Sequence, residues 1–295
     1  MRRRERSTLL WTENRALLLF LLRFFSLILL SASVTAFSLR GDGGALLLIS
    51  AIPVLSFLIP TLFYLRSEDG ERLDWLGASP TLPMFGRTLL LSLALFLFGV
   101  FGVTLLGEIF ALPVSLYGFL SVLPDFSFGA LMAYAVIPAL CEVVPIFGIT
   151  GACCGKRSIT YTVLISSVLY GVCSFSLSAL PLFLLAGAAI ALVHRATRSF
   201  IAPLMALLAF RVGGYLAASG SLLQLLQPLW LCILSGVFAF GIFLAVLPYH
   251  RLPFKGEEEG EERVAASFVA FEPIACILLL VLFTAYALLA DAFIF

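Results

Sequence analysis

Long apolar runs alternate with short polar or charged stretches along the whole chain. The runs cover residues 16–37, 45–65, 88–106, 128–149, 160–175, 177–194, 199–219, 222–247 and 266–290. Most approach or exceed the roughly 20 apolar residues that a helix needs to cross the hydrocarbon core of a bilayer. Backbone polar groups find no water at that depth, so each run is expected to be helical. The pattern predicts an all-α fold, a polytopic transmembrane helix bundle of about nine spans. Residues 109–124 are apolar but short and contain Pro113 and Pro124. They read as a re-entrant or interfacial stretch, or as an extension of the helix before them.

The basic residues orient this map, because Lys and Arg gather in short cytoplasmic loops. Arg2, Arg3, Arg4, Arg6 and Arg15 precede the first run, and Arg66, Arg72 and Arg87 lie between the second and third. Lys156 and Arg157, then Arg195 and Arg198, then Arg251, Lys255 and Arg263 occupy the fourth, sixth and eighth loops. The odd-numbered loops hold only Arg40, and Arg23 and Arg211 fall inside runs. The alternation predicts an amino terminus inside and a carboxyl terminus outside, and one helix more or fewer would break it. The first run has a basic lead and a Val34-Thr35-Ala36 stretch resembling a cleavage site, but it is longer than the apolar region of a signal peptide. It is expected to be a retained helix, with Arg23 near its cytoplasmic end and able to snorkel.

Composition agrees. Of 295 residues, 62% are hydrophobic and 12% charged, against about half and a quarter in soluble domains. The length leaves no room for a separate soluble domain. The net charge of +1 gives no footing for nucleic acid, and no such partner is expected; membrane lipid is. Cys141, Cys153, Cys154, Cys173, Cys232 and Cys276 mostly lie in apolar runs, where cysteine behaves as a small hydrophobe. The adjacency of Cys153 and Cys154 does not suit a zinc site. The acidic run from Glu257 to Glu262 reads as a solvated loop face. No internal repeat stands out.

Ionisable groups at membrane depth are costly and are candidates for function. Here they are Arg23, Glu142, Arg211 and Glu272, with Glu108 near a helix end. A buried unpaired charge is strongly unfavourable, so Glu142 is expected to pair with Arg211, either as a binding or catalytic carboxylate or as a structural ion pair. The two histidines, His194 and His250, sit at helix ends or in loops. That leaves no imidazole in the bundle core for a metal site or a serine–histidine relay, and no cofactor or metal is expected. Pro138 and Pro145 flank Glu142, where proline bends a helix and often borders a cavity. Gly213, Gly214 and the Ala186–Ala189 run would let helices approach closely.

Residues 138–216 resemble the core of the CAAX protease and bacteriocin-processing family of intramembrane proteins. That family opens its core with Glu-Glu-x-x-x-Arg-Gly; here Glu142-Val143-Val144-Pro145-Ile146-Phe147-Gly148 keeps the first glutamate and the glycine. Its second motif, Phe-x-x-x-His, corresponds to Tyr170-Gly171-Val172-Cys173-Ser174, with serine for histidine. Its third, His-x-x-x-Asn, follows a segment like Arg198-Ser199-Phe200-Ile201-Ala202-Pro203, but Leu207 and Arg211 stand where histidine and asparagine belong.

The apolar runs, the basic residues and this resemblance together divide the chain into four segments: a cytoplasmic basic amino terminus at 1–15, amino-terminal transmembrane helices at 16–127, a core at 128–220 that the resemblance makes CAAX-protease-like, and carboxyl-terminal transmembrane helices at 221–295. The resemblance makes Glu142 the remnant of a catalytic centre in which a glutamate activates water beside histidines. Tyr170, Ser174, Leu207 and Arg211 then line a binding site. Without a base partner or oxyanion donors most of the rate enhancement is lost. The expectation is therefore a pseudoprotease of the bacterial cytoplasmic membrane. It would act as a membrane binding, assembly or immunity factor towards another membrane protein or a peptide. An active intramembrane endopeptidase using Glu142 and a transporter subunit or permease are the alternatives.

Overall fold

The computed structural model describes residues 45–66, 76–77, 79–110, 127–153, 159–174, 179–219 and 229–248. Among these residues the regular structure is helical, with a single isolated bridge between Gly77 and Ser199. Helix α1 runs as α-helix over Ala45–Pro53, π-helix over Val54–Leu58 and α-helix over Ile59–Leu65. Helix α2 is Leu82–Phe110. Helix α3 passes through Phe128–Leu131, a π segment Met132–Val136, Ile137–Val143, a second π segment Val144–Ile149 and Thr150–Cys153. Helices α4, α5, α6 and α7 are Ile159–Val172, Leu180–Thr197, Ile201–Ala218 and Leu229–Val246.

The segments Leu82–Gly107, Phe128–Ala152, Leu180–Thr197 and Ile201–Ala218 are long and apolar enough to cross a membrane. Ser50–Leu65, Ile159–Val172 and Ile233–Val246 are apolar but shorter. By length and composition this is a membrane protein. The apolar runs 16–37 and 266–290 lie outside the described residues, as does most of 109–124; α2 ends at Phe110. Helix α2 begins six residues before the apolar run at 88–106. Arg87 interrupts the apolar pattern but not the helix, because it is exposed within the first turns. Pro83 in the first turn needs no N–H partner.

The π segments follow the prolines. Proline has no N–H, so the carbonyl four residues earlier loses its α-helical donor. Wider turns with i→i+5 bonds stand beside such positions here. Val54–Leu58 ends two residues before Pro60, Met132–Val136 ends two residues before Pro138, and Val144–Ile149 contains Pro145. The Ile59 N–H donates to the Val54 carbonyl and the Ile137 N–H to the Met132 carbonyl, each five residues back. Thr150 closes the third segment by donating its hydroxyl to the Pro145 carbonyl at 2.9 Å. Pro138 thus follows one widened turn and Pro145 lies within another.

Helix α6 packs against α2, α3 and α5; α4 packs along α5, and α7 along α2. The α2–α6 contact is made by backbone. A Cβ on Gly99 would lie 2.5 Å from the Phe210 carbonyl oxygen and 3.1 Å from the Gly214 nitrogen, and one on Gly213 would collide with the Phe96 carbonyl oxygen. Gly187 lets α5 meet α4 in the same way, with a Cβ position 3.0 Å from Ser167 Cα. Ser167 adds a hydroxyl donated to the Leu184 carbonyl at 2.6 Å. Close approach of this kind is how helices associate in lipid, where apolar burial gives no net drive.

At the end of α5, Arg198 adopts a left-handed backbone with φ 52° and donates its N–H to the His194 carbonyl at 2.8 Å. A non-glycine residue pays about 1–2 kcal/mol for that conformation. The turn is held by the Gly77–Ser199 bridge and by the Phe200 N–H donating to the Leu76 carbonyl at 3.1 Å. Gly77, at φ 61°, lies so close to the Arg198 carbonyl that no side chain fits.

Candidate functional site

Helices α3 and α6 are joined at two levels. Tyr134 and Tyr215 stack with ring centroids 6.1 Å apart and planes 9° from parallel. Glu142 lies on the α-helical turn between the two π segments of α3, and Arg211 lies one turn earlier on α6 than Tyr215. Arg211 Nη2 donates to Glu142 Oε2 in a salt bridge. Pairing of 134 with 215 and of 142 with 211 means that the helices run antiparallel. The pairing expected between Glu142 and Arg211 is therefore present, at 2% and 1% exposure, so both charges are removed from solvent.

An aromatic enclosure surrounds the pair. Arg211 Cζ lies 5.1 Å from the Phe183 ring centroid and 5.7 Å from that of Tyr170, within cation–π range. Tyr170 and Phe183 stack at 5.1 Å, and Phe210 meets both edge-on at 6.2 and 5.6 Å. Phe147, from the second π segment, closes on Tyr170 at 5.8 Å. The residues singled out in the sequence divide accordingly. Glu142, Arg211 and Tyr170 come together. Leu207 is fully buried one turn before Arg211, in the same core as Tyr170, Phe183 and Phe210. Ser174 is fully buried just past α4, and its N–H donates to the Gly171 carbonyl at 3.0 Å.

The thiols of Cys141 and Cys173 are free and buried; Cys173 donates to the Leu169 carbonyl at 3.3 Å. His194 stands in the last turn of α5, its ring 2.6 Å from where a Cβ on Gly151 would be, so it packs over α3 rather than within the aromatic enclosure. His250, Arg23, Glu272, Cys154 and Cys276 lie outside the described residues. Among the described residues no group of three or more His, Cys, Asp or Glu side chains is placed to hold a metal ion. Phe147, Phe183 and Phe210 were not legible as walls of this centre: with 28 phenylalanines in the chain, none carries a signal of its own.

This arrangement binds a carboxylate to a guanidinium and encloses both in hydrocarbon and aromatic rings. A buried pair of this kind is no more stabilising than a well-packed apolar pair, but it penalises any packing that separates the two charges. Searches of protein-family models, curated proteins and solved structures find no match to the chain.

Proposed function

We propose that the chain is a non-catalytic, CAAX-protease-like membrane protein that binds another membrane protein or a peptide as an assembly or immunity factor, in the bacterial cytoplasmic membrane. One observation carries the reading: Arg211 donates to the carboxylate of Glu142 inside an aromatic enclosure. A general base needs its lone pair within reach of the proton it abstracts. Here that position is taken by a guanidinium at a site where the resembled family has asparagine. Serine at 174 and leucine at 207 remove the two histidines of the resembled motifs.

The test is direct. The purified protein, supplied with zinc and offered prenylated or leader peptides, should show no turnover above a detergent blank. Turnover that vanishes in Glu142→Gln would replace this reading by that of an active endopeptidase. Substrate flux across proteoliposomes would replace it by that of a transporter.

The proposal includes the topology of about nine spans, with the amino terminus inside and the carboxyl terminus outside. It is supported by the distribution of Lys and Arg among the loops. Reporters fused within 66–87 and within 250–263 should read as cytoplasmic, and one fused after Phe295 as external. A cytoplasmic signal after Phe295 would rule out an odd number of spans with this orientation.

A further inference from the structure

An interior space lies away from Glu142. It is a cavity of about 360 Å³ between α2, α5 and α7, lined by Phe98 and Phe101 of α2, Leu185 and Ala189 of α5, and Phe240 and Phe243 of α7 among others. Every lining side chain is a hydrocarbon, and Gly236 contributes only backbone. Such a space holds no polar group that would retain water or an ion. An apolar cavity of only ~150 Å³ already stays dry and takes up benzene, and small-molecule sites begin near 300 Å³.

The exposure of the lining gives the cavity a direction. Ala94, Leu95 and Ala239 form its floor at 2% exposure each, whereas Leu185 and Phe240 form its rim at 61% and 64%. The opening therefore points sideways out of the bundle. It does so midway along Leu82–Gly107 and Leu180–Thr197, segments long enough to cross a bilayer, where the surrounding solvent is lipid tail. The outward face of α7 beside the mouth is equally apolar, with Ile233, Leu234, Val237 and Phe238 all exposed.

From the lateral mouth and the wholly hydrocarbon lining, we infer that this cavity is a binding site for one acyl chain of a bilayer phospholipid. The side chains of Phe98, Phe101, Phe240 and Phe243 supply dispersion contacts along the chain. The headgroup stays at the membrane surface, and selectivity is for chain shape rather than charge. The cavity shares no residue with the Glu142–Arg211 pair; it adjoins the aromatic enclosure through Phe98, which stacks on Phe210 with ring centroids 6.3 Å apart.

A phosphatidylethanolamine carrying a photoactivatable diazirine midway along one acyl chain tests this, as a minor component of vesicles holding the full-length protein. On illumination, wild-type protein should be labelled at the floor residues Ala94, Leu95 and Ala239 as well as at Val237, which faces outward beyond the cavity. Filling the space with Ala239→Phe should lower labelling of Ala94 and Leu95 by about tenfold, equivalent to about 1.4 kcal/mol, and leave Val237 labelling unchanged as the control for folding. The wild-type pattern decides even if that variant does not fold, because the surrounding bilayer reaches Val237 but not the floor without entering. Labelling confined to Val237 and its exposed neighbours overturns the proposal. So does a photoreactive phenylalanine at position 98 that captures residues 266–290 instead of lipid.

Discussion

Glu142→Gln and Arg211→Met should each lower the stability of the protein by about 3–5 kcal/mol, because each leaves the opposite charge buried and unpaired. The double variant should lose much less. Both side chains are almost wholly removed from solvent, so the surviving partner has no water to turn to, and its rings offer only a weak substitute. Methionine is an unbranched apolar side chain and can fill part of the space beside Phe183 and Tyr170 that the Arg211 guanidinium leaves. Thermal unfolding in detergent, read as a double-mutant cycle, measures the coupling directly. Strict additivity would mean that the two side chains do not meet in the folded protein.

The next largest effect falls on the α2–α6 seam. Glycine in a helix interior is worse than alanine by roughly 0.5–1 kcal/mol, so alanine scanning of glycines should stabilise where space allows. At Gly86, Gly107 and Gly241 a Cβ would meet nothing within 4 Å, and alanine there should be neutral to mildly stabilising. At Gly99 and Gly213 the same methyl meets a backbone carbonyl of the facing helix, which cannot rotate aside as a side-chain tip would. There the helices must separate, and overpacking of that kind costs typically 1–3 kcal/mol, sometimes more. Gly99→Ala and Gly213→Ala should therefore lower the melting temperature while the other three do not. Equal behaviour of all five would show that α2 and α6 do not touch through their backbones.

Much of the helical layout was legible because lipid enforces it: an apolar run of sufficient length has no other way to bond its backbone. The run at 45–65 coincides with α1, and those at 128–149 and 199–219 fall within a few residues of α3 and α6. The Glu142–Arg211 pair was legible for a related reason, since two opposite charges in so apolar a chain have few alternatives to each other. The wall of aromatic rings was not, because a phenylalanine facing Arg211 and one facing lipid look alike in a sequence this rich in them. Nor was the strap at Leu76–Ser199. Its bonds are between backbone groups far apart in the chain, and only Gly77 hints at an unusual conformation.

The widened turns of α1 and α3 bear on how this chain tolerates changes in length. A π turn holds one residue more than the α turn it replaces, and one residue is worth about 100° of rotation around the axis. Helical faces on either side of such a turn are therefore out of phase by a single position. Glu142 has one of these offsets on each side, at Met132–Val136 and Val144–Ile149. Losing one residue from either segment would narrow it towards an α turn and return the flanking faces to a common register, leaving only the carbonyl four residues before Pro138 or Pro145 without its donor. A one-residue deletion there should be milder than the same deletion within Ile137–Val143, which would swing Glu142 away from Arg211. In this helix the places that can absorb an insertion or deletion are written into its backbone rather than into its loops.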